Sequence, residues 1–180
     1  MLFSSENSVL LVIDIQGKLA SLIFEKEKTY KNVQALIQAA QFLKMPIILT
    51  EQVPEKIGDT IPEISSLLKD VPPIEKVTFS CYPNKRFQEA LKKSGRKEVI
   101  VVGIETHVCV VQTVADLLRE EYLVQVVADA VSSRSKDNKE IALERMRNLG
   151  ATLTSTEMIM CELLKTSEHP KFKDVLNLIK

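Results

Sequence analysis

Three stretches of the chain, Val9-Leu10-Leu11-Val12-Ile13, Pro46-Ile47-Ile48-Leu49 and Glu98-Val99-Ile100-Val101-Val102, are apolar almost without interruption. A strand with one wet face alternates apolar and polar residues. Unbroken Val/Ile/Leu runs of this length therefore predict strands covered on both faces, as in parallel sheets. Leu123-Val124-Gln125-Val126-Val127 is a fourth such run and Ala151-Thr152-Leu153-Thr154 a weaker fifth. Between them the period changes. Val33, Leu36, Ile37 and Ala40 recur at helical spacing, and Ala142, Met146 and Leu149 repeat the theme. Asp137 followed by Glu140 resembles a capping box, and Gly150 stands where a helix-terminating glycine belongs. Strand and helix in regular alternation predict an α/β fold: a three-layer α/β/α sandwich with a mainly parallel, Rossmann-like central sheet. No repeat, low-complexity segment or linker breaks the pattern, so residues 1–180 read as a single domain. The least regular stretch runs from Val53 to Tyr82, with prolines at 54, 62, 72 and 73. In a compact domain such a segment is more often a functional loop than a boundary.

Composition narrows the function classes. A chain of 180 residues can bury one full core. Lys plus Arg and Asp plus Glu balance at 24 each, so no overall field draws the protein to nucleic acid or to an anionic membrane. Met1 to Asn7 lack a basic segment leading into an apolar one, and the apolar run that follows is broken at Asp14, far short of a membrane span. A soluble, cytoplasmic protein is the expectation. The three cysteines, Cys81, Cys109 and Cys161, have no CxxC spacing, which argues against a disulfide framework and a zinc knuckle. With His107 and His169 as the only histidines, a multi-histidine metal site cannot be built.

In open parallel sheets, ligands bind beyond the carboxyl ends of the strands. The residues that follow the apolar runs are Asp14-Ile15-Gln16, Thr50-Glu51-Gln52, the segment Gly103 to Cys109, and Asp129-Ala130. Gly103 can end a strand and Thr106 can cap the next helix, which would put Cys109 in a first helical turn. A thiol there feels the positive end of the helix dipole, which favours thiolate, and nearby backbone N–H groups could hold an oxyanion. The plain alternative is a small buried residue among Val108, Val110 and Val111. His107, two residues from Cys109, points away from it on a helix and is a poor base. His169 lies in a turn without an evident partner. Asp14, ending a buried strand, is the better base, its alternative being a cap or loop hydrogen bond. Lys76 sits in a semi-extended segment held by Pro72 and Pro73 and means little by itself.

Together these residues resemble the isochorismatase-like cysteine hydrolase superfamily, over a span from Val9 to about Leu163. Asp14 in Asp-Ile-Gln matches the family's aspartate after the first strand. Lys76 in Glu-Lys-Val-Thr-Phe-Ser matches its lysine, and Gly103 to Val110 matches its G-x-x-T-x-x-C-V box. Thr50-Glu51-Gln52, Lys76 to Ser80, Gly103-Ile104-Glu105 and Val131 to Ser135 are similar to the isochorismatase domain-containing protein 2 branch. The resemblance implies a catalytic set of Asp14, Lys76 and Cys109. Lys76 would favour the Cys109 thiolate and Asp14 would move the proton. It also implies a cis Ile104–Glu105 peptide, with the backbone N–H groups of Glu105 and Cys109 as oxyanion hole. Nicotinamidases carry an Asp-x-His metal site where this chain has Thr50-Glu51-Gln52, so no metal or other cofactor is expected. The Glu105 side chain would either enter the pocket, disfavouring anionic substrates, or be matched by a structural ion pair, the reading preferred here.

The function expected is metal-independent hydrolysis of a C–N bond, amide or carbamoyl, in a small molecule, through a thioester-like intermediate. The alternatives are vinyl ether hydrolysis, as in isochorismatase, and a catalytically weak binding or regulatory module. Gln16, Phe24, Gln52 and Tyr82 are candidates to line the pocket. Ser132, Ser133 and Arg134 could bind a substrate carboxylate or line a subunit contact, and read first as a turn into the next helix. A homo-oligomer is expected, and Phe172, Val175, Leu176 and Ile179 either serve a contact or pack as a last amphipathic helix.

Overall fold

The apolar runs become the inner strands of one parallel sheet. The structure is a computed structural model and describes residues 1–179. In chain order the first half comprises β1 (Ser8–Ile13), α1 (Gly17–Ser21), α2 (Lys26–Phe42), β2 (Ile47–Gln52), the short helices α3 (Pro54–Ile57) and α4 (Pro62–Ser65), and β3 (Ile74–Lys76). Then come α5 (Lys85–Ser94), β4 (Glu98–Ile104), a π-helical turn (Thr106–Val110) running into α6 (Val111–Arg119), and β5 (Leu123–Ser132). α7 (Lys136–Asn148), β6 (Thr152–Thr154), α8 (Thr156–Leu164) and α9 (Phe172–Leu176) complete it. Among the described residues the six strands lie in the order β3-β2-β1-β4-β5-β6, all parallel. No described helix is long and apolar enough to cross a membrane.

Every residue of β1 is buried, as a strand covered on both faces requires. Leu10 and Val12 face one layer, where Val33, Leu36, Ile37 and Ala40 of α2 pack with Ile159 and Leu163 of α8 and Val175 of α9. Val9, Leu11 and Ile13 face the other, against Phe87 and Leu91 of α5, Val114 and Leu117 of α6, and Met146 of α7. The three-layer α/β/α sandwich read from the alternation is the fold observed. The C-terminal apolar residues pack as a helix: Val175 is buried, and Phe172 and Ile179 lie against the first layer.

Several local readings are corrected. The segment around Lys76 holds a short edge strand, β3, that three residues between prolines and a loop could not signal. β2 extends through Gln52, so Thr50, Glu51 and Gln52 belong to the strand itself. β5 extends through Ser132, which leaves Asp129 inside it; its Oδ1 accepts from the Thr156 N–H (2.8 Å) and hydroxyl (2.9 Å) and anchors the start of α8. α7 is capped by Ser135, whose hydroxyl accepts from the Asn138 N–H, in place of the Asp137–Glu140 box. Leu149 is exposed rather than core.

The strand order reverses between β1 and β4: β2 and β3 are laid down on one side, β5 and β6 on the other. The loops leaving β1 and β4 therefore diverge, and a crevice opens at their carboxyl ends. Gly103 keeps the two strands in contact there. It is paired with Ile13, has φ +123°, and a Cβ on it would lie 2.1 Å from the Ile13 carbonyl oxygen. Gly95, with φ +66°, has open space where its Cβ would be. Gly103→Ala should thus cost more than about 3 kcal/mol in urea unfolding, or prevent folding. Gly95→Ala should cost only about 1–2 kcal/mol, the penalty of the left-handed backbone alone. Equal losses would mean that the β1–β4 approach is not the constraint.

Candidate active site

The three residues singled out by sequence meet at this crevice. Asp14 follows β1 with φ +50°, a left-handed conformation that aspartate tolerates better than most residues. Its Oδ1 accepts a hydrogen bond from the Thr50 hydroxyl at 2.7 Å. Its Oδ2 lies 2.6 Å from the Lys76 ammonium, and both side chains are buried (4% and 1% exposed). Lys76 ends β3, where alternation turns Ile74 and Lys76 inward and Glu75 outward. The chain then folds over the ammonium. Besides Asp14, the nitrogen faces Gln52 Oε1 (2.7 Å) and the carbonyls of Thr78 (3.1 Å) and Phe79 (3.0 Å). Four oxygens thus surround a group with three N–H donors.

Cys109 lies in the π-helical turn that opens α6, and is buried. Such turns are rare and recur at functional sites. Thr106 does not cap the turn: its hydroxyl is buried without a hydrogen-bond partner, and Glu105 occupies the capping position with no side-chain bond. The Cys109 carbonyl accepts from the Thr113 hydroxyl (2.7 Å), which itself accepts from the Cys81 N–H (3.0 Å). The Cys81 thiol reaches Thr50 Oγ1 at 3.7 Å, which closes a loop of contacts from Cys109 back to Asp14. Cys81, Thr50 and Thr113 were given no part from sequence. Thr113, one turn after Cys109 on a helix, is the one with a readable signal, since a threonine there can bond the preceding turn's carbonyl.

The Cys109 thiol is pushed well above its ordinary range. Burial is the main cause, and the Asp14 carboxylate adds to it through its charge and by accepting the thiol proton. Lys76 pulls the other way and is outweighed, because its charge is already opposed by Asp14 at 2.6 Å. This corrects the expectation that Lys76 and the helix start hold a resting thiolate. Cys81 is likewise pushed up to about 11, by burial first and then by Asp14. Burial pulls the Lys76 pKa down, but the negative charge of Asp14 more than offsets it, so Lys76 remains an ammonium.

A cavity of about 110 Å³ opens onto Cys109 and Asp14. Gln16, Gln52 and Glu105 line it with the apolar Leu19, Ile57, Phe79, Ile104 and Val108. Phe24 and Tyr82 do not. Phe24 is tied by its backbone to Ser132 and Ser133, and Tyr82 packs on Phe87 while its hydroxyl donates to Glu120. The Ile104–Glu105 peptide is cis, as the resemblance implied. The Glu105 carboxylate is held by Arg134, whose backbone N–H and Nε each donate to Oε1 at 3.0 Å. Glu105 is therefore both at the cavity wall and ion-paired, and Arg134 does more than make a turn. His107 bonds Ser133 through Nδ1, and His169 accepts from the Lys171 N–H near the C-terminus. Glu51 accepts both bonds of Thr60 through Oε1. Among the described residues no group of three or more His, Cys, Asp or Glu is arranged to hold a metal ion. Larger grooves of about 440 and 920 Å³ flank the β2–β3 edge and contain none of Asp14, Lys76 or Cys109.

Comparison with known proteins identifies the family. The Isochorismatase domain matches residues 8–158. Isochorismatase domain-containing protein 2 of Danio rerio is 38% identical over 177 residues, covering 98% of this chain and 88% of its own. The secreted isochorismatase effector Isc1 of Phytophthora sojae is 39% identical over 178 residues, covering 97% and 85%. Among solved structures, the MAR1 ribonuclease of Caenorhabditis elegans superposes with a TM-score of 0.94 at 41% identity, over 99% of this chain and 92% of that one. YcaC of Pseudomonas aeruginosa, solved with hexane-2,5-diol and covalent acrylamide, gives 0.92 at 28% identity, over 98% and 91%. The YcaC gene product of Escherichia coli, described as an octameric hydrolase of unknown specificity, gives 0.89 at 28% identity, over 99% and 95%. Family membership supports a hydrolase, and the match to isochorismatase domain-containing protein 2 extends over nearly the whole chain. The chain belongs to the isochorismatase family, in the branch of isochorismatase domain-containing protein 2.

Proposed function

We propose that this protein is a metal-independent cysteine hydrolase that cleaves a C–N bond, in an amide or carbamoyl group, of a small molecule. The observation that carries the reading is that Cys109 and Asp14 line one small cavity at the switch point of the sheet, with the Lys76 ammonium paired to Asp14 behind it. Cys109 begins as a neutral thiol. As its sulfur bonds to the substrate's carbonyl carbon, its proton passes to Asp14 and the carbonyl electron pair moves onto oxygen. The backbone N–H groups of Glu105 and Cys109 are assigned to that oxyanion. Collapse breaks the C–N bond, Asp14 returns the proton to the departing nitrogen, and a thioester remains on Cys109. Water then attacks the thioester and gives a proton to Asp14. Asp14 reprotonates the departing sulfur, and the acid is released. Lys76, 2.6 Å from Oδ2, keeps the Asp14 carboxyl aimed throughout.

The covalent acrylamide in the Pseudomonas aeruginosa relative and the hydrolase description of the Escherichia coli one support a reactive site in this fold. The octamer described for the latter supports homo-oligomeric assembly here. The name of the Caenorhabditis elegans neighbour makes RNA cleavage a second reading. The formal net charge of zero and the full engagement of Lys76 weigh against it, since binding a phosphate backbone needs free cations.

Cys109→Ala should abolish turnover, and Cys109→Ser should lower kcat by about a thousandfold or more. Mass spectrometry of a quenched reaction should find the acyl adduct on Cys109. A mild loss in the serine variant would favour ether hydrolysis without a covalent step. Absence of turnover on amides, vinyl ethers and RNA alike would favour a binding module.

The pH dependence has an opposed signature. A thiol with a raised pKa holds less thiolate at neutral pH, so alkylation of Cys109 by iodoacetamide should climb only above the pH of about 8.5 at which a free thiol titrates. Asp14→Asn removes the nearby negative charge and the acceptor of the thiol proton. Alkylation at pH 8 should therefore become faster while hydrolysis falls by about 10²–10⁴-fold. Slower alkylation in Asp14→Asn, with thermal melts confirming folded protein, would contradict the assigned role of Asp14.

A further inference from the structure

The polar groups around the cavity are committed to one another, and this limits what can bind. The Gln16 amide donates to the carbonyls of Gln52 (3.2 Å) and Gly58 (2.6 Å) and accepts from the Gln52 N–H (2.6 Å). The Gln52 amide donates to the Val77 carbonyl (2.9 Å) and accepts from Lys76 (2.7 Å). Lys76 has more acceptors than donors, and Arg134 turns its Nε to Glu105. No cationic side chain lines the wall to meet a carboxylate or phosphate, and the neighbouring Lys76 is fully engaged. Two carboxylates, Asp14 and Glu105, stand at that wall, and the rest of it is Leu19, Ile57, Phe79, Ile104 and Val108.

A negative group placed there would lose its water and gain no counter-ion, so it is excluded on desolvation grounds. Size sets a second limit. A dry cavity of about 150 Å³ encloses benzene, so one of about 110 Å³, open on one side, holds a group of about four or five heavy atoms beside Cys109. We propose that the site selects uncharged substrates with a short aliphatic acyl group and rejects anionic and aromatic ones. This rests on the reading of Cys109 as nucleophile and names the substrate class it serves.

The test separates the two claims. Wild-type protein is alkylated with iodoacetamide and, in parallel, with iodoacetate, and labelling is followed at each cysteine by peptide mass spectrometry. The exposed Cys161 supplies the reference for intrinsic reagent reactivity. The preference for the neutral reagent should be at least tenfold greater at Cys109 than at Cys161. Ile57→Lys, which adds a cation to the wall, should narrow the preference at Cys109 and leave Cys161 unchanged. In hydrolysis, butyramide should exceed succinamate, the same chain ended by a carboxylate, by at least a hundredfold in kcat/KM, and should also exceed benzamide. Equal preferences at the two cysteines, or cleavage of succinamate as fast as butyramide, would overturn the substrate class and leave the nucleophile standing. A Cys109 inert to both reagents above pH 9, with Cys161 labelled, and carrying no acyl adduct when a butyramide reaction is quenched, would overturn the nucleophile and this inference with it.

Discussion

The buried Lys76–Asp14 pair is the interaction on which the site depends. Two charges removed from water at 2.6 Å are tolerable only where geometry and further hydrogen bonds satisfy both. Here Thr50 completes Asp14, while Gln52 and the carbonyls of Thr78 and Phe79 complete Lys76. Much of the cavity's local architecture follows from that need. The chain after β3 wraps back so that its carbonyls reach the ammonium, and the same wrap carries Phe79 to the cavity wall. Gln52 is turned to Lys76 and so closes one side.

Because Lys76 is held by Asp14, its field at Cys109 is largely cancelled. The resting sulfur keeps its proton, and the proposed chemistry couples proton transfer to bond formation. This differs from a cysteine site with a preformed thiolate, where an unopposed cation or a helix end does that work in advance. A protonated thiol is also the less reactive form toward passing electrophiles, so a site of this kind is quiet until a carbonyl is seated beside Asp14.

The fold was legible because its signals were redundant. Five apolar runs with helical spacing between them leave little choice but a parallel sheet covered on both faces, and the carboxyl edge then points to the site. Asp14 and Cys109 were found by that logic, each closing or following a clear strand. Lys76 was not, because its strand is three residues long and carries no period; family resemblance supplied it. Burial overrode the local electrostatics expected of Cys109, and no one-dimensional pattern reports burial at a loop. Gln16 and Gln52 line the cavity beside Cys109. Phe24 and Tyr82 lie away from it, since the paths of long loops are decided by tertiary partners such as Ser132 and Phe87. The extent of β5 hid the structural role of Asp129 in the same way.

One further consequence follows from where the ammonium is mounted. β3 is the outermost strand and is paired to β2 by three residues alone. Its last residue supplies the counter-ion of Asp14, so peeling this edge away breaks the ion pair. Linkage is reciprocal. Whatever steadies the charge on Asp14 also rivets the border of the sheet, and whatever discharges it loosens that border. The margin of the sheet therefore carries a mechanical record of the protonation state at its centre.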